Sequence, residues 1–215
     1  MNVVAVIDYG MGNLRSVSKA LEHVAGDARV IVTHDPRRIA QADRVVFPGQ
    51  GAARDCMAEI KRLGLDAVVR EAVATKPFLG ICMGLQVLLD YSEEGGNTPC
   101  LGIVAGSVRR FPERMAGTEG GAALKIPHMG WNEVHQTRPH PLWQGIAQDS
   151  RFYFVHSYYC VPAQDQDVAG VCQYGRPFAA VLARGNLFAA QFHPEKSQHA
   201  GLTLLANFMS WDGAL

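Results

Sequence analysis

Pro77-Phe78-Leu79-Gly80-Ile81-Cys82-Met83-Gly84-Leu85-Gln86-Val87-Leu88-Leu89 reads as a buried strand running straight into a helix, with a cysteine at the junction. Residues Pro77 to Ile81 are a short apolar run suited to a strand covered on both faces, and Leu85 to Leu89 is apolar and helix-compatible. Cys82 therefore sits on a nucleophile elbow. Gly80 and Gly84, two residues to either side, let strand and helix approach while the thiol projects outward. A helix N-terminus favours the thiolate, and the Met83 amide N–H points toward an oxyanion forming on a carbonyl that Cys82 attacks.

The chain upstream has the same strand-turn-helix grammar. Val3 to Ile7 is an apolar strand, Asp8-Tyr9-Gly10-Met11-Gly12-Asn13 a turn, and Val17, Ala20, Leu21 and Val24 fall at helical spacing. Gly10-Met11-Gly12 is not a dinucleotide fingerprint, because Arg15 stands where the third glycine belongs. Val30 to Val32 and Val45 to Phe47 are further strands, the second followed by Pro48-Gly49-Gln50-Gly51-Ala52. Met57, Ile60 and Leu63 then fall at helical spacing, and Leu65 to Ala74 is a further helix. This alternation predicts an α/β fold of flavodoxin-like type, a mostly parallel sheet with helices on both faces. Ligands in such folds sit beyond the carboxyl ends of the strands, where the turns at Gly10, Gly49 and Gly80 converge.

Downstream, Leu187 to His193 reads as a strand ending at Pro194. Side chains two apart on an extended chain share a face, so Glu195 can hold the His193 ring in one tautomer while His193 takes the Cys82 proton. Singly, a buried cysteine is an inert small hydrophobe and His-Pro-Glu a polar loop; jointly they outline covalent acyl transfer. Between Leu101 and Gln191 the pattern changes to short β-type runs, Ile103 to Val108, Phe152 to His156, Val168 to Tyr174 and Phe178 to Leu182, read as antiparallel additions. The flexible stretch Gly117 to Gly121 interrupts them, and a closing helix carries Leu202, Leu205, Phe208 and Met209 on one face.

With 215 residues the chain suits one domain, 1–215, with a well-covered core. Lys+Arg and Asp+Glu are both 20, with no basic run, which argues against nucleic acid or membrane as partners. The five cysteines are odd in number and contain no Cys-x-x-Cys pair, and the eight histidines form no ligand cluster, so neither disulfide framework, metal nor cofactor is expected. The N-terminal apolar stretch is too short and lacks the charge for a signal peptide, so a soluble cytoplasmic protein is expected.

These residues resemble the class I glutamine amidotransferases, whose triad is Cys in G-x-C-x-G with His and Glu in H-P-E. The likeness covers nearly the whole chain. Asp8 to Leu14, Pro127-His128-Met129-Gly130-Trp131-Asn132, Phe154 to Tyr158 and His193-Pro194-Glu195-Lys196-Ser197 look like the glutaminase subunits of imidazole glycerol phosphate synthases. The resemblance implies that Cys82 forms a glutamyl thioester, with His193 as acid/base and Glu195 as its orienting partner. It implies that Gln86 and the backbone at Gly49, Gly51, Ser157 and Tyr158 hold the amino-acid end of L-glutamine. The Gln50-Gly51 peptide would supply the second oxyanion donor; the commoner pattern has Val in place of Gln50, a change a backbone donor survives. Asn13, His128, Met129, Trp131, Tyr153 and Lys196 would face the partner, a (β/α)₈-barrel cyclase that receives the ammonia for histidine biosynthesis. The triad alone leaves open a pyridoxal phosphate synthase glutaminase, a flavodoxin-like cysteine peptidase or a binding domain with a dead site. The Asp8 to Leu14 and Pro127 to Asn132 strings argue against the first, the His-x-Glu spacing against the second and the intact triad against the third.

Overall fold

Five strands form the parallel half of the sheet: β1 (Val3–Ile7), β2 (Arg29–Thr33), β3 (Arg44–Gly49), β4 (Phe78–Cys82) and β14 (Leu187–Ala190), in the order β2-β1-β3-β4-β14. The computed structural model describes residues 2–113, 115 and 123–214, so the Gly117 to Gly121 stretch lies outside the described residues. The near-continuous apolar runs follow from helices covering both faces. Val4, Val6, Val46, Leu79 and Ile81 pack toward α1 (Leu14–Val24) and α6 (Gln198–Ser210), meeting Val17, Leu21, Leu204, Leu205 and Phe208. Their neighbours Ala5, Ile7, Val45, Phe47 and Phe78 pack on the other side, against Ile39 of α2 (Pro36–Gln41), Met57 and Ile60 of α3 (Ala53–Arg62) and Val69 of α4 (Leu65–Thr75). The period of two along each strand thus divides two cores.

Beyond β14 the sheet turns antiparallel through β13 (Pro177–Arg184), β11 (Tyr158–Pro162) and β7 (Gly106–Arg110), and ends at the short β5 (Tyr91–Ser92) and β6 (Thr98–Pro99). β12 (Val168–Gln173) pairs with β13 and with the short β9 (His135–Gln136). β8 (His128–Glu133) and β10 (Arg151–His156) form a separate antiparallel ribbon. No helix among the described residues is long and apolar enough to cross a membrane.

Several boundaries differ from the sequence reading, for reasons visible in the hydrogen bonds. The helix expected over Leu85 to Leu89 is α5, Met83–Gln86. Its continuation is pre-empted because Leu101, Gly102, Ile103 and Val104 donate their N–H groups to the carbonyls of Val87, Leu88 and Leu89. The same contacts turn Ile103 to Ala105 away from β7, which starts at Gly106. The strand expected to reach His193 stops at Ala190, since Gln191 N–H turns to Ala180 O and His193 N–H to Tyr153 O. In α6 the deeply buried positions are Gly201, Leu204, Leu205 and Phe208, while Leu202 and Met209 are half-buried. α2 was not read from sequence, although its signal is there: Asp35 caps it by accepting from Arg37 N–H at 2.9 Å, and Pro36 opens it.

Candidate active site

Cys82 ends β4 with φ 55° and ψ −108°, a region that non-glycine residues enter at a cost of roughly 1–3 kcal/mol. What enforces it is contact on both sides. A Cβ at Gly84 would lie 1.7 Å from the Phe47 carbonyl oxygen, and one at Gly80 2.9 Å from both Ala189 Cβ and Gly84 O. The elbow is thus wedged between β3 and β14, and only glycine at these two positions lets α5 start so close to the sheet.

The thiol and His193 line one cavity of about 490 Å³, together with Gln50, Gly51, Met83, Gln86, Ser157, Tyr158 and Lys196. His193 is buried and its Nδ1 is 2.8 Å from Glu195 Oε1. The expected route to that contact is corrected: Glu195 lies on the 3₁₀ turn Pro194–Lys196, and the turn rather than strand alternation folds its carboxylate back under the ring. Nδ1–H donates to the carboxylate, which leaves Nε2 for the thiol; Nε2 is buried and makes no hydrogen bond of its own. Burial by itself lowers the His193 pKa, but the adjoining Cys82 sulfur and then the Glu195 carboxylate outweigh it and push it up to about 10. A protonated imidazole beside the sulfur is the form that pairs with a thiolate and can hand a proton to a leaving amine.

Support of the sulfur differs from expectation. α5 has four residues and so a small dipole; the neighbour that reaches the sulfur is Gln191, fully buried, whose Nε2 donates to Cys82 Sγ at 3.8 Å. Gln191 Oε1 in turn accepts from Gln86 Nε2 at 3.1 Å, and Gln86 Nε2 also reaches Tyr158 O at 3.2 Å. Gln86 Oε1 is left buried without a partner. Gln191 was missed in the sequence, although it precedes His193 by two on the same segment. Glu94 was also missed; its carboxylate lines the cavity while Oε2 accepts from Ala53 N–H at 2.6 Å.

Gly49 does not line this cavity. It pairs with Cys82 across β3 and β4, and a Cβ there would fall 2.1 Å from the Tyr9 hydroxyl oxygen and 2.9 Å from Met83 Cβ, so its glycine serves packing. Asn13, at the start of α1, lies behind the triad in a crevice with Gly49, Gln50, His193 and Glu195.

The remaining expected residues sort by face of the β8/β10 ribbon. Met129 and Trp131 are 62 % and 38 % exposed, Tyr153 pairs with Trp131 across the ribbon, and Lys196 Nζ lies 5.8 Å from the Tyr153 ring. His128 is corrected: it points inward, 3 % exposed, stacked on Phe154 and Tyr174. There Asn132 Nδ2 donates to His128 Nε2, His128 Nδ1 to His156 Nε2 at 2.9 Å, and His156 Nδ1 to Tyr158 O at 2.8 Å. Every proton in this chain is assigned with both rings neutral, and burial lowers His128 to about 4 and His156 to about 3.

The model of the class-I glutamine amidotransferase family matches residues 5–210. The chain is 61 % identical over 209 residues to imidazole glycerol phosphate synthase subunit HisH of Thiobacillus denitrificans, covering 97 % of this chain and 91 % of that one. It is also 61 % identical over 213 residues to the HisH subunit of Nitrosococcus oceani, covering 99 % of each. Among solved structures it resembles a chain of PurLQS from Thermotoga maritima, with TM-score 0.66, 15 % identity and coverage of 96 % of this chain and 97 % of that one, which speaks to fold alone. The elbow, the histidine–glutamate pair and near full-length identity agree, and the chain belongs to the class-I glutamine amidotransferases, in the branch of the HisH subunits of imidazole glycerol phosphate synthase.

Proposed function

We propose that this chain, acting as one domain, hydrolyses L-glutamine at Cys82 and delivers the ammonia to a (β/α)₈-barrel cyclase subunit that makes imidazole glycerol phosphate in the cytoplasm. The observation that carries the reading is the convergence of a strained Cys82 and a Glu195-held His193 on one cavity. Cys82 Sγ attacks the side-chain amide carbon, and the carbonyl π pair moves onto oxygen, which is met by the N–H groups of Met83 and Gly51. His193 gives its proton to the departing nitrogen as the C–N bond breaks, leaving a glutamyl thioester and ammonia. His193 then takes a proton from water as it adds to the thioester carbon; the C–S bond breaks and glutamate leaves. Gln191 supports the sulfur whenever it carries charge, and Gln86 Oε1 and Glu94 supply acceptors for the substrate ammonium, with the Ser157 and Tyr158 backbone beside them.

The face carrying the exposed Met129 and Trp131 and the half-buried Tyr153 adjoins Lys196, which lines the cavity, and this suits a partner surface through which ammonia leaves without meeting bulk water. A glutaminase of this kind is expected to turn over slowly alone and faster with its liganded partner. Glutamine hydrolysis is measured with and without the cyclase and its nucleotide substrate. The proposal expects a partner-dependent rise that disappears in Cys82→Ala; equal rates with and without partner contradict the coupling, and an active Cys82→Ala contradicts the nucleophile.

A further inference from the structure

Where the chain crosses from the β8/β10 ribbon into the main sheet, it turns beside the cavity at His156, Ser157 and Tyr158. β10 ends at His156 and β11 starts at Tyr158, so a single residue makes the corner. Both carbonyls after the histidine are held: Ser157 O accepts from Phe111 N–H at 3.0 Å, and Tyr158 O accepts from His156 Nδ1 at 2.8 Å. Tyr158 O also accepts from Gln86 Nε2 at 3.2 Å, so the imidazole and the Gln86 amide share one acceptor. With Nε2 given to Tyr158 O and to Gln191 Oε1, Gln86 is left with a buried Oε1 that has no partner in the protein.

The proton positions in this network follow from its two ends. At one end Asn132 Oδ1 accepts from Glu133 N–H and Asn132 Nδ2 donates to Gln173 O, each at 2.9 Å, which fixes the amide. His128 Nε2, 3.2 Å from that Nδ2, must then accept, so His128 Nδ1 carries the proton that His156 Nε2 receives. At the other end a carbonyl can only accept, which places the His156 proton on Nδ1. The reverse tautomers would set N–H against N–H at Asn132 and lone pair against lone pair at Tyr158. His128 therefore decides which nitrogen of His156 is the donor.

We propose that His156 is a positioning residue for glutamine: its Nδ1–H, set in that tautomer by His128, holds the Tyr158 carbonyl and through it the Gln86 amide, so that Gln86 Oε1 faces the substrate ammonium. The inference rests on the glutaminase reading above. Against it stands the ordinary role of a buried ring as core packing, since His156 also lies against Phe111 at 5.3 Å and Phe178 at 5.2 Å. Side-chain length separates the two. The amide nitrogen of His156→Asn is as many bonds from the backbone as Nδ1 and can donate to Tyr158 O, whereas His156→Gln carries its amide one atom further out, toward the place of Nε2, and His156→Leu keeps bulk without a donor.

The test is steady-state hydrolysis of glutamine, over a range of glutamine concentrations, by the chain assembled with its cyclase partner. One neutral hydrogen bond is worth a factor of about three to ten, so His156→Leu and His156→Gln should raise KM by about that factor with kcat changed by less than about twofold. His156→Asn should bring KM back to within about twofold of wild type. His128→Phe is the second variant: it keeps the stack on Phe154 and Tyr174 but frees the His156 tautomer, and should raise KM by a smaller factor with kcat again little changed. A normal KM in His156→Leu, asparagine no better than glutamine, or a loss confined to kcat overturns the proposal. If His156→Leu does not fold, equal KM values in His156→Asn and His156→Gln, or a normal KM in His128→Phe, overturn it. A wild-type assembly that does not hydrolyse glutamine overturns the glutaminase reading and this proposal with it, whereas an active wild type with an unaffected His156→Leu overturns this proposal alone.

Discussion

His193 depends on the Cys82 sulfur beside it for its protonation state. The imidazole is buried, which disfavours its charge, and the sulfur beside it is the first of the groups that restore it. In Cys82→Ala that support is gone and burial faces Glu195 alone, so the His193 pKa should fall from about 10, as read by NMR titration of the labelled ring. An unchanged titration would show that Glu195 by itself sustains the charge. The sign for stability follows from the raised value: the contribution is complete below the ordinary value of 6.5 and is lost as pH rises through about 10. That Cys82, His193 and Glu195 meet was legible in the sequence, because spacing and turn chemistry are local. Gln191 and Glu94 were not, because what makes them part of the site is where β14 and the Ser92 to Thr98 turn end in space, and neither residue type carries a local signal there.

The β4-to-α5 elbow is held by backbone contacts that leave no room for adjustment. Gly84→Ala would drive a methyl into the Phe47 carbonyl at 1.7 Å, and backbone cannot rotate away as a side chain can. The expected loss is at least ~3 kcal/mol, seen as a large drop in the urea midpoint or a failure to fold. Gly185→Ala is the contrast: φ is 54° but nothing lies within 4 Å of the added methyl, so the cost should be only about 1–2 kcal/mol of left-handed backbone strain. Equal losses in the two would count against the wedge. The ribbon of β8 and β10 shows why some expected surface residues were misplaced. Met129 and Trp131 point out and His128 points in because side chains alternate along β8, a fact that follows once the string is known to be a strand and is invisible while it is read as a motif.

At the scale of the whole molecule, His128, His140 and His156 are buried in the core and held neutral. Burial lowers His128 and His140 to about 4 and His156 to about 3, each below an ordinary value of 6.5, while the same residues in the unfolded chain take up protons near that value. Their contribution to stability is therefore complete above pH 6.5 and is lost as pH falls through about 4 toward 3. The urea midpoint should drop between pH 7 and pH 4.5, with a shallower drop in His140→Gln; a flat profile would mean that these rings do not titrate with unfolding. By itself the sequence determined the alternating strands and helices, the elbow, the pairing of His193 with Glu195 near Cys82 and the antiparallel character of the C-terminal half. Each of these is a property of short-range spacing: apolar period, glycine at a turn, a histidine two residues from a glutamate. The tertiary structure alone decided that Gln191 reaches the sulfur, that Gly49 packs against Tyr9 instead of touching the cavity, that His128 is interior, and that the Cys56 thiol meets the Gln50 carbonyl. Those contacts join residues from 6 to 109 positions apart, and only the packing of strands and helices against one another fixes which polar atoms meet.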